Sequence, residues 1–167
     1  DVVITSIFVN PTQFGPKEDL RRYPRDEKGD IHRIRSAGGE IVFIPSAREM
    51  YPPDFQTWVS VDHLTSSLEG SVRPKHFRGV TTVVAKLFNI CRPDVVAFGM
   101  KDFQQAVVLR RLTTDLGYPL KYIIAPTVRE RDGLAMSSRN AYFDAEGRRE
   151  AICLYRALMT ARFMVRA

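Results

Sequence analysis

Between residues 95 and 105 the chain runs from a short apolar stretch, Val95-Val96-Ala97-Phe98, through Gly99 and Met100-Lys101-Asp102 into a helical pattern that begins near Phe103. A strand that turns on glycine into a helix gathers free backbone N–H groups and the positive end of a helix dipole at one point, and anions bind there. Lys101 adds a full positive charge. Asp102 can accept two hydrogen bonds from a diol such as a ribose, and Gln104 and Gln105 offer amide donors and acceptors from the first helical turn. Without a ligand residues 99–105 also make an ordinary strand-to-helix turn with a solvated lysine and an aspartate cap.

The rest of the chain repeats that alternation. Residues 2–9 form a near-continuous apolar strand, residues 28–37 a helix closed by Gly38-Gly39, and residues 40–44 the next buried strand. Residues 50–70 are less regular: Tyr51-Pro52-Pro53 breaks the chain, and residues 57–61 alternate in the manner of a half-exposed edge strand. From 79 to 90 comes an amphipathic helix with Val80, Val83, Val84, Leu87 and Phe88 on one stripe, most of it core. The strand 95–98, a helix over 103–116 ended by Gly117, a strand over 121–125 and a final helix over 144–167 capped by Asp144 complete the pattern. The expected fold is therefore α/β with four parallel core strands. Neither end carries a stop or start signal, so the chain is expected to continue beyond both.

Composition restricts the partners. With 167 residues, 44% hydrophobic and 26% charged, the chain is long enough to bury a real core. No apolar run approaches the roughly 20 residues of a membrane helix, and no secretory segment opens it. Cys91 and Cys153 lie in apolar patterns without CxxC spacing, which reads as two reduced core thiols and a cytoplasmic setting. The formal charge of +6 favours anionic ligands. Its basic residues are scattered, so phosphorylated small molecules and nucleic acid both stay open at this point.

Parallel sheets bind ligands at the carboxyl ends of their strands. The segments expected there are residues 10–15, with the amides of Asn10 and Gln13; Pro45-Ser46; residues 99–105; and residues 127–139. Asn10 before Pro11 also suits a plain Asx turn. In the last segment Ser137, Ser138 and Arg139 place two hydroxyls and a guanidinium side by side, a set that can grip a polyphosphate through charge-assisted hydrogen bonds. Residues 73–79, with Arg73 and His76, form a basic turn ahead of the amphipathic helix. His32 and His63 read as surface residues. HExxH, cysteine clusters and paired-carboxylate motifs do not occur, which disfavours a protein-held zinc and glycosidase chemistry.

Taken together, FVNPTQF (residues 8–14), RYPR (22–25), MYP (50–52), RPKHFRGVTTVVAKLFN (73–89), GMKDFQQ (99–105) and PTVRERDGLAMSSRN (126–140) closely resemble the pantothenate synthetase (pantoate–β-alanine ligase) family. The similarity runs from about Val2 to about Tyr142. The family's HxGH block, expected upstream of the first strand, does not occur in the chain, and Met100 stands where a Glu is common.

The resemblance implies a Rossmann-like, doubly wound, mostly parallel sheet of the HIGH-type nucleotidyltransferase superfamily. Residues 1–143 would form the nucleotide- and pantoate-binding domain, lacking its first strand and helix, and 144–167 the start of a carboxy-terminal domain. The implied reaction is ATP-dependent condensation of pantoate with β-alanine through a pantoyl adenylate, in a cytoplasmic homodimer without nucleic-acid or membrane partners. By match to the family, Gln13 and Gln105 hold pantoate with Asn10 nearby, and Val80, Val83 and Val84 wall its gem-dimethyl group. Gly99 and Asp102 bind the ribose, Val128 and Met136 flank the adenine, and Lys101, Ser137, Ser138 and Arg139 contact the phosphates. Mg²⁺ is carried in on ATP, and Arg73 and His76 sit at the pocket mouth. Another adenylyl-transferring enzyme of the superfamily and a non-catalytic nucleotide-binding fragment are the alternatives. On its own this chain is expected to be an impaired catalyst.

Overall fold

The computed structural model of the chain describes residues 1–166. Its elements in order are β1 (Ile4–Ser6), α1 (Glu27–Ser36), β2 (Ile41–Phe43), α2 (Ala47–Met50), α3 (Glu69–Val72), α4 (His76–Cys91), β3 (Val95–Gly99), α5 (Phe103–Asp115), β4 (Lys121–Ala125), α6 (Ala145–Glu150) and α7 (Cys153–Arg166). Short 3₁₀ turns occupy Pro11–Gln13, Asp19–Arg21, Met100–Asp102 and Ser138–Tyr142.

The strands form two parallel ladders. In one, Ile4 lies opposite Ile41 and Ser6 opposite Phe43; in the other, Val95 lies opposite Lys121 and Gly99 opposite Ala125. The alternating pattern predicted all four strands and their direction. The first is shorter than its apolar run, because Val2 and Val3 are 64% and 50% exposed and only three residues pair with β2.

Helix α4 holds the molecule together. Its stripe of Val80, Val83, Val84 and Phe88 packs with Met50, Leu109 and Leu112 in one core, against which Phe8, Phe43, Val96, Phe98 and Tyr122 lean from both ladders. At about 1.5–3 kcal/mol for each fully buried apolar side chain, this stripe is a major source of stability. The helix ends at Arg92, which takes a left-handed conformation at φ 47°.

Two expectations are corrected. Residues 57–61 form no strand, because the backbone of Val59 is satisfied by α4 itself: its N–H donates to Thr82 Oγ1 at 3.0 Å and its carbonyl accepts from Thr81 Oγ1 at 2.6 Å. The excursion is pinned further by Tyr51, Phe55 and Trp58; Arg78 sits 4.5 Å over the Trp58 ring and Lys86 4.9 Å over that of Phe55. The final helix is not continuous. Asp144 caps α6, accepting from the Gly147 N–H at 2.8 Å, but a turn at residues 151–152 separates it from α7. Ala167, with which that helix was expected to end, lies outside the described residues.

Both cysteines are free; Cys91 is partly buried, but Cys153 is exposed at the start of α7 and is no core thiol. His32 and His63 are exposed, as read from the sequence. Among the described residues no helix is long and apolar enough to cross a membrane.

Candidate active site

A cleft of roughly 550 Å³ opens where the segment after β1 meets the β3–α5 junction. Asn10, Gln13, Lys101, Asp102, Gln105 and Arg139 line it together with Arg73 and His76. Residues distant in sequence thus face one volume, at the strand ends where a parallel fold was expected to bind.

The turn after β1 is locked from beneath. Asn10 is 2% exposed; its amide donates to the Gly79 carbonyl at 3.0 Å and to Gln13 Oε1 at 3.2 Å, while its oxygen accepts from the Thr12 N–H and hydroxyl. A buried amide with every partner in place holds a fixed orientation. Asn10 therefore positions Gln13 and leaves that side chain's own amide N–H₂ to the cleft. Gly79 permits the approach: a Cβ on it would stand 2.6 Å from the Thr12 backbone. No side chain fits there.

Gln13 is also held through its backbone. Its carbonyl accepts from Arg73 Nη2 at 3.2 Å and from the His76 ring Nδ1 at 2.9 Å. Arg73 in turn pairs with Glu18 and, at 2.8 Å, with Glu69. The Arg73 hydrogen bond holds the Glu18 carboxyl below its ordinary pKa. Burial, aided by the Arg73 charge, holds the His76 imidazole below its own. Arg73, whose role was open at the sequence level, ties the 13–18 loop to α3.

Across the cleft, α5 presents two glutamines with different tasks. Gln104 donates to the carbonyls of Leu64 and Ser67 at 2.9 and 2.8 Å and accepts from the Glu69 N–H at 3.0 Å, so it clamps the strap before α3. Gln105 makes no side-chain hydrogen bond among the described residues and lines the cleft. Lys101 reaches Asp102 at 3.2 Å, and the two side chains are 40% and 61% exposed. They stand at an open rim.

Arg139 forms a bidentate pair with Asp19 at 2.8 and 2.9 Å and lies 5.0 Å over the Tyr23 ring. The Arg139 hydrogen bonds, with one from Tyr142, hold the Asp19 carboxyl well below the usual carboxylate range. Ser138 donates to the Tyr23 hydroxyl at 3.0 Å, and the Ser137 hydroxyl accepts from the Arg139 N–H at 3.3 Å.

The other predicted residues stand outside this lining. Val80, Val83 and Val84 are 2%, 6% and 6% exposed in the core, since their stripe faces inward; the apolar surface of the cleft comes from Phe8, Phe14, Leu68, Phe77 and Phe103. Gly99 closes β3 at the cleft's edge. Val128 and Met136 are 66% and 56% exposed and adjoin across a short hairpin, where the Met136 N–H donates to the Val128 carbonyl at 3.0 Å. That hairpin turns at Gly133, whose φ of 97° and contact with the Tyr155 ring exclude a side chain. Tyr23, Glu69 and Asp19 were missed at the sequence level. Only Tyr23, inside the RYPR block, carried any signal.

Among the described residues no three His, Cys, Asp or Glu side chains converge as metal ligands. Chemically, the arrangement offers orienting amides deep in the cleft and movable cations at its rim.

The family model described as pantoate-beta-alanine ligase matches residues 1–166. Pantothenate synthetase of Syntrophotalea carbinolica is 56% identical over 97% of this chain and 57% of its own length, and that of Moorella thermoacetica is 56% identical over 100% and 59%. The crystal structure of the Thermus thermophilus enzyme superposes with a TM-score of 0.95 at 51% identity, covering 98% of this chain and 60% of that one. A pantoate-beta-alanine ligase from Francisella tularensis, complexed with beta-gamma ATP and beta-alanine, gives 0.82 at 39% identity over 87% and 56%. The chain thus spans about 57–59% of the length of these curated relatives, and it shares the α/β, HIGH-type nucleotidyltransferase fold of its structural neighbours. By the family match along residues 1–166, it belongs to the pantoate-beta-alanine ligase family.

Proposed function

We propose that this chain carries the substrate cleft of an enzyme that joins pantoate to β-alanine at the expense of ATP. One observation supports it above the others: Gln13 and Gln105, two amides without a charged partner, face the same cleft as Lys101 and Arg139. Neutral amides suit the hydroxyls and carboxylate of pantoate, while the cations suit a polyphosphate. The Francisella tularensis relative is described with beta-gamma ATP and beta-alanine, which agrees with the polyphosphate half and with β-alanine as the second substrate.

In this reading a pantoate carboxylate oxygen attacks the α-phosphorus of ATP. The bond from that phosphorus to the bridging oxygen breaks, and pyrophosphate leaves with the electron pair. The β-alanine amine then attacks the acyl carbon of the adenylate and displaces AMP. No group on the protein becomes covalently attached. Gln13 and Gln105 fix the attacking acid, and Lys101, Ser137, Ser138 and Arg139 neutralise charge that builds on the phosphates. Gly99 and Asp102 take the ribose, and the exposed Val128 and Met136 pair flanks the adenine. Mg²⁺ carried in with ATP would neutralise phosphate charge, in keeping with this ion's preference for substrate phosphates and water.

Residues 144–167 open a second domain in this reading, and the whole enzyme is a cytoplasmic homodimer; these points rest on family resemblance. Calorimetric titration of the full-length protein, with pyrophosphate release as the activity readout, tests the assignment. Pantoate and ATP should each bind, and pyrophosphate should appear only with both. Release driven by a different acid and not by pantoate would reassign the chain to another adenylyl transfer.

A further inference from the structure

His76 is the first residue of α4, and its ring lines the cleft beside Gln13, Lys101 and Gln105. Its Nδ1 lies 2.9 Å from the Gln13 carbonyl oxygen. A carbonyl only accepts, so that nitrogen carries the ring proton, and in the neutral imidazole Nε2 keeps its lone pair. Nε2 has no hydrogen-bond partner among the described residues. The Gln13 contact therefore fixes the tautomer as well as the ring.

The other ionisable groups on the lining are already engaged with partners. Glu69 is paired with Arg73, and Asp102 with Lys101. The Tyr23 hydroxyl accepts from Ser138. Arg73 and Arg139 are guanidinium cations without a lone pair to offer. His76 remains. Around it, Arg73 opposes an imidazolium, as does the helix N-terminus, whereas Glu18 and Glu69 favour one; Lys101, Asp102 and Arg139 complete the charges of the cleft.

We infer that His76 Nε2 takes the proton released when the amine of β-alanine is acylated, which makes it a catalytic residue of the second half-reaction. The inference rests on the proposed ligase reading. β-Alanine enters as an ammonium and gives one proton to solvent. The free amine then attacks the pantoyl carbonyl carbon; the C–N bond forms, the carbonyl pair moves to oxygen, and nitrogen becomes positive. Nε2 takes a proton from that nitrogen. As the carbonyl re-forms, the bond from acyl carbon to phosphate oxygen breaks and AMP leaves with the pair. The imidazolium then returns its proton to water. A base whose own pKa lies at or below neutrality suits this step, since the nitrogen it serves is far more acidic once bonded to the tetrahedral carbon.

The two half-reactions separate the roles of the ring. His76→Asn keeps an N–H donor for the Gln13 carbonyl and lacks Nε2. In the full-length protein, pyrophosphate release from ATP and pantoate should stay within about threefold of the parent. AMP release after β-alanine is added to the preformed adenylate should fall by about 10²-fold. With the rate expressed per free amine, so that the titration of β-alanine itself is removed, that step should lose its acid limb, and added imidazole should restore part of the rate. A second step within threefold of the parent, or one whose pH profile is unchanged, overturns the assignment. If His76→Asn fails to fold, the parent's second step decides: with the rate expressed per free amine, an acid limb at or below neutrality upholds the inference, and a flat profile there overturns it. A parent that releases no pyrophosphate from ATP and pantoate overturns the ligase reading and this inference together, which distinguishes the two failures.

Discussion

The two walls of the cleft are built in opposite ways. The wall of Asn10, Gln13 and α4 is wired from below: Asn10 is 2% exposed with four hydrogen bonds, and the Gln13 carbonyl takes two more from Arg73 and His76. The wall of Lys101 and Arg139 consists of side chains 40% and 47% exposed; among the described residues Lys101 pairs only with the exposed Asp102, while Arg139 rests on Asp19 and the Tyr23 ring. On the proposed reading, the contrast follows from what each wall would hold. A neutral hydrogen bond contributes only about 0.5–1.5 kcal/mol and falls away with misalignment, so amides must be placed in advance. A charge acts over distance and tolerates movement. In the proposed reading Arg139 also leaves Asp19 to meet a phosphate, exchanging one anionic partner for another.

The largest effect should come from breaking the wired wall. Asn10→Leu strands the Gly79 carbonyl and the Thr12 donors, and should lower folding stability by about 3 kcal/mol in urea denaturation. A loss below about 1 kcal/mol would show the two walls to be equally loose. Next comes Lys101→Ala. It should leave the melting temperature within about 1 °C, because an exposed pair contributes little, yet slow adenylate formation by the equivalent of about 1.5–3 kcal/mol. A rate within twofold of the parent would make Lys101 a mere surface lysine.

Gln105→Leu sharpens the division of labour. It should weaken pantoate binding by about 0.5–1.5 kcal/mol with ATP affinity unchanged within twofold, both read by calorimetry. The reverse pattern would exchange the substrates between the walls.

The smallest effect belongs to Asp19→Asn, with a stability loss under about 1 kcal/mol at neutral pH. Its sign with pH is fixed. The Asp19 carboxyl is depressed by Arg139, so the contribution is complete above the ordinary aspartate pKa and is lost as pH falls through the lower folded value. The gap between parent and variant should therefore shrink on acidification, and thermal melts along a pH series would contradict this if the gap widened.

What the sequence disclosed follows the range of the interactions involved. The α4 stripe and the Gly99 turn were readable because the helical period and a glycine junction are local signals. Residues 57–61 were misread for the opposite reason: alternation signals a strand, but Val59 spends its backbone on Thr81 and Thr82, over twenty positions away. The valines were placed on the cleft by family match, although their own periodicity pointed to the core, where they lie. The Arg139–Asp19 pair joins residues 120 apart. Gln104 looks like Gln105 in sequence, and only the fold makes one a clamp and the other a free amide. No local pattern encodes such choices.

The two parallel ladders share no backbone hydrogen bond among the described residues. Their mechanical continuity runs through α4, whose apolar stripe both touch, so the cohesion of the halves is a matter of side-chain packing and not of a shared ladder. Packing of this kind yields as a unit when the helix yields, whereas each ladder can open by itself while the helix stays docked. Amide exchange should accordingly be slowest in α4 and should report two different opening free energies for β1–β2 and β3–β4. The helix that begins at the cleft with His76 would then also be the last part of the molecule to come apart.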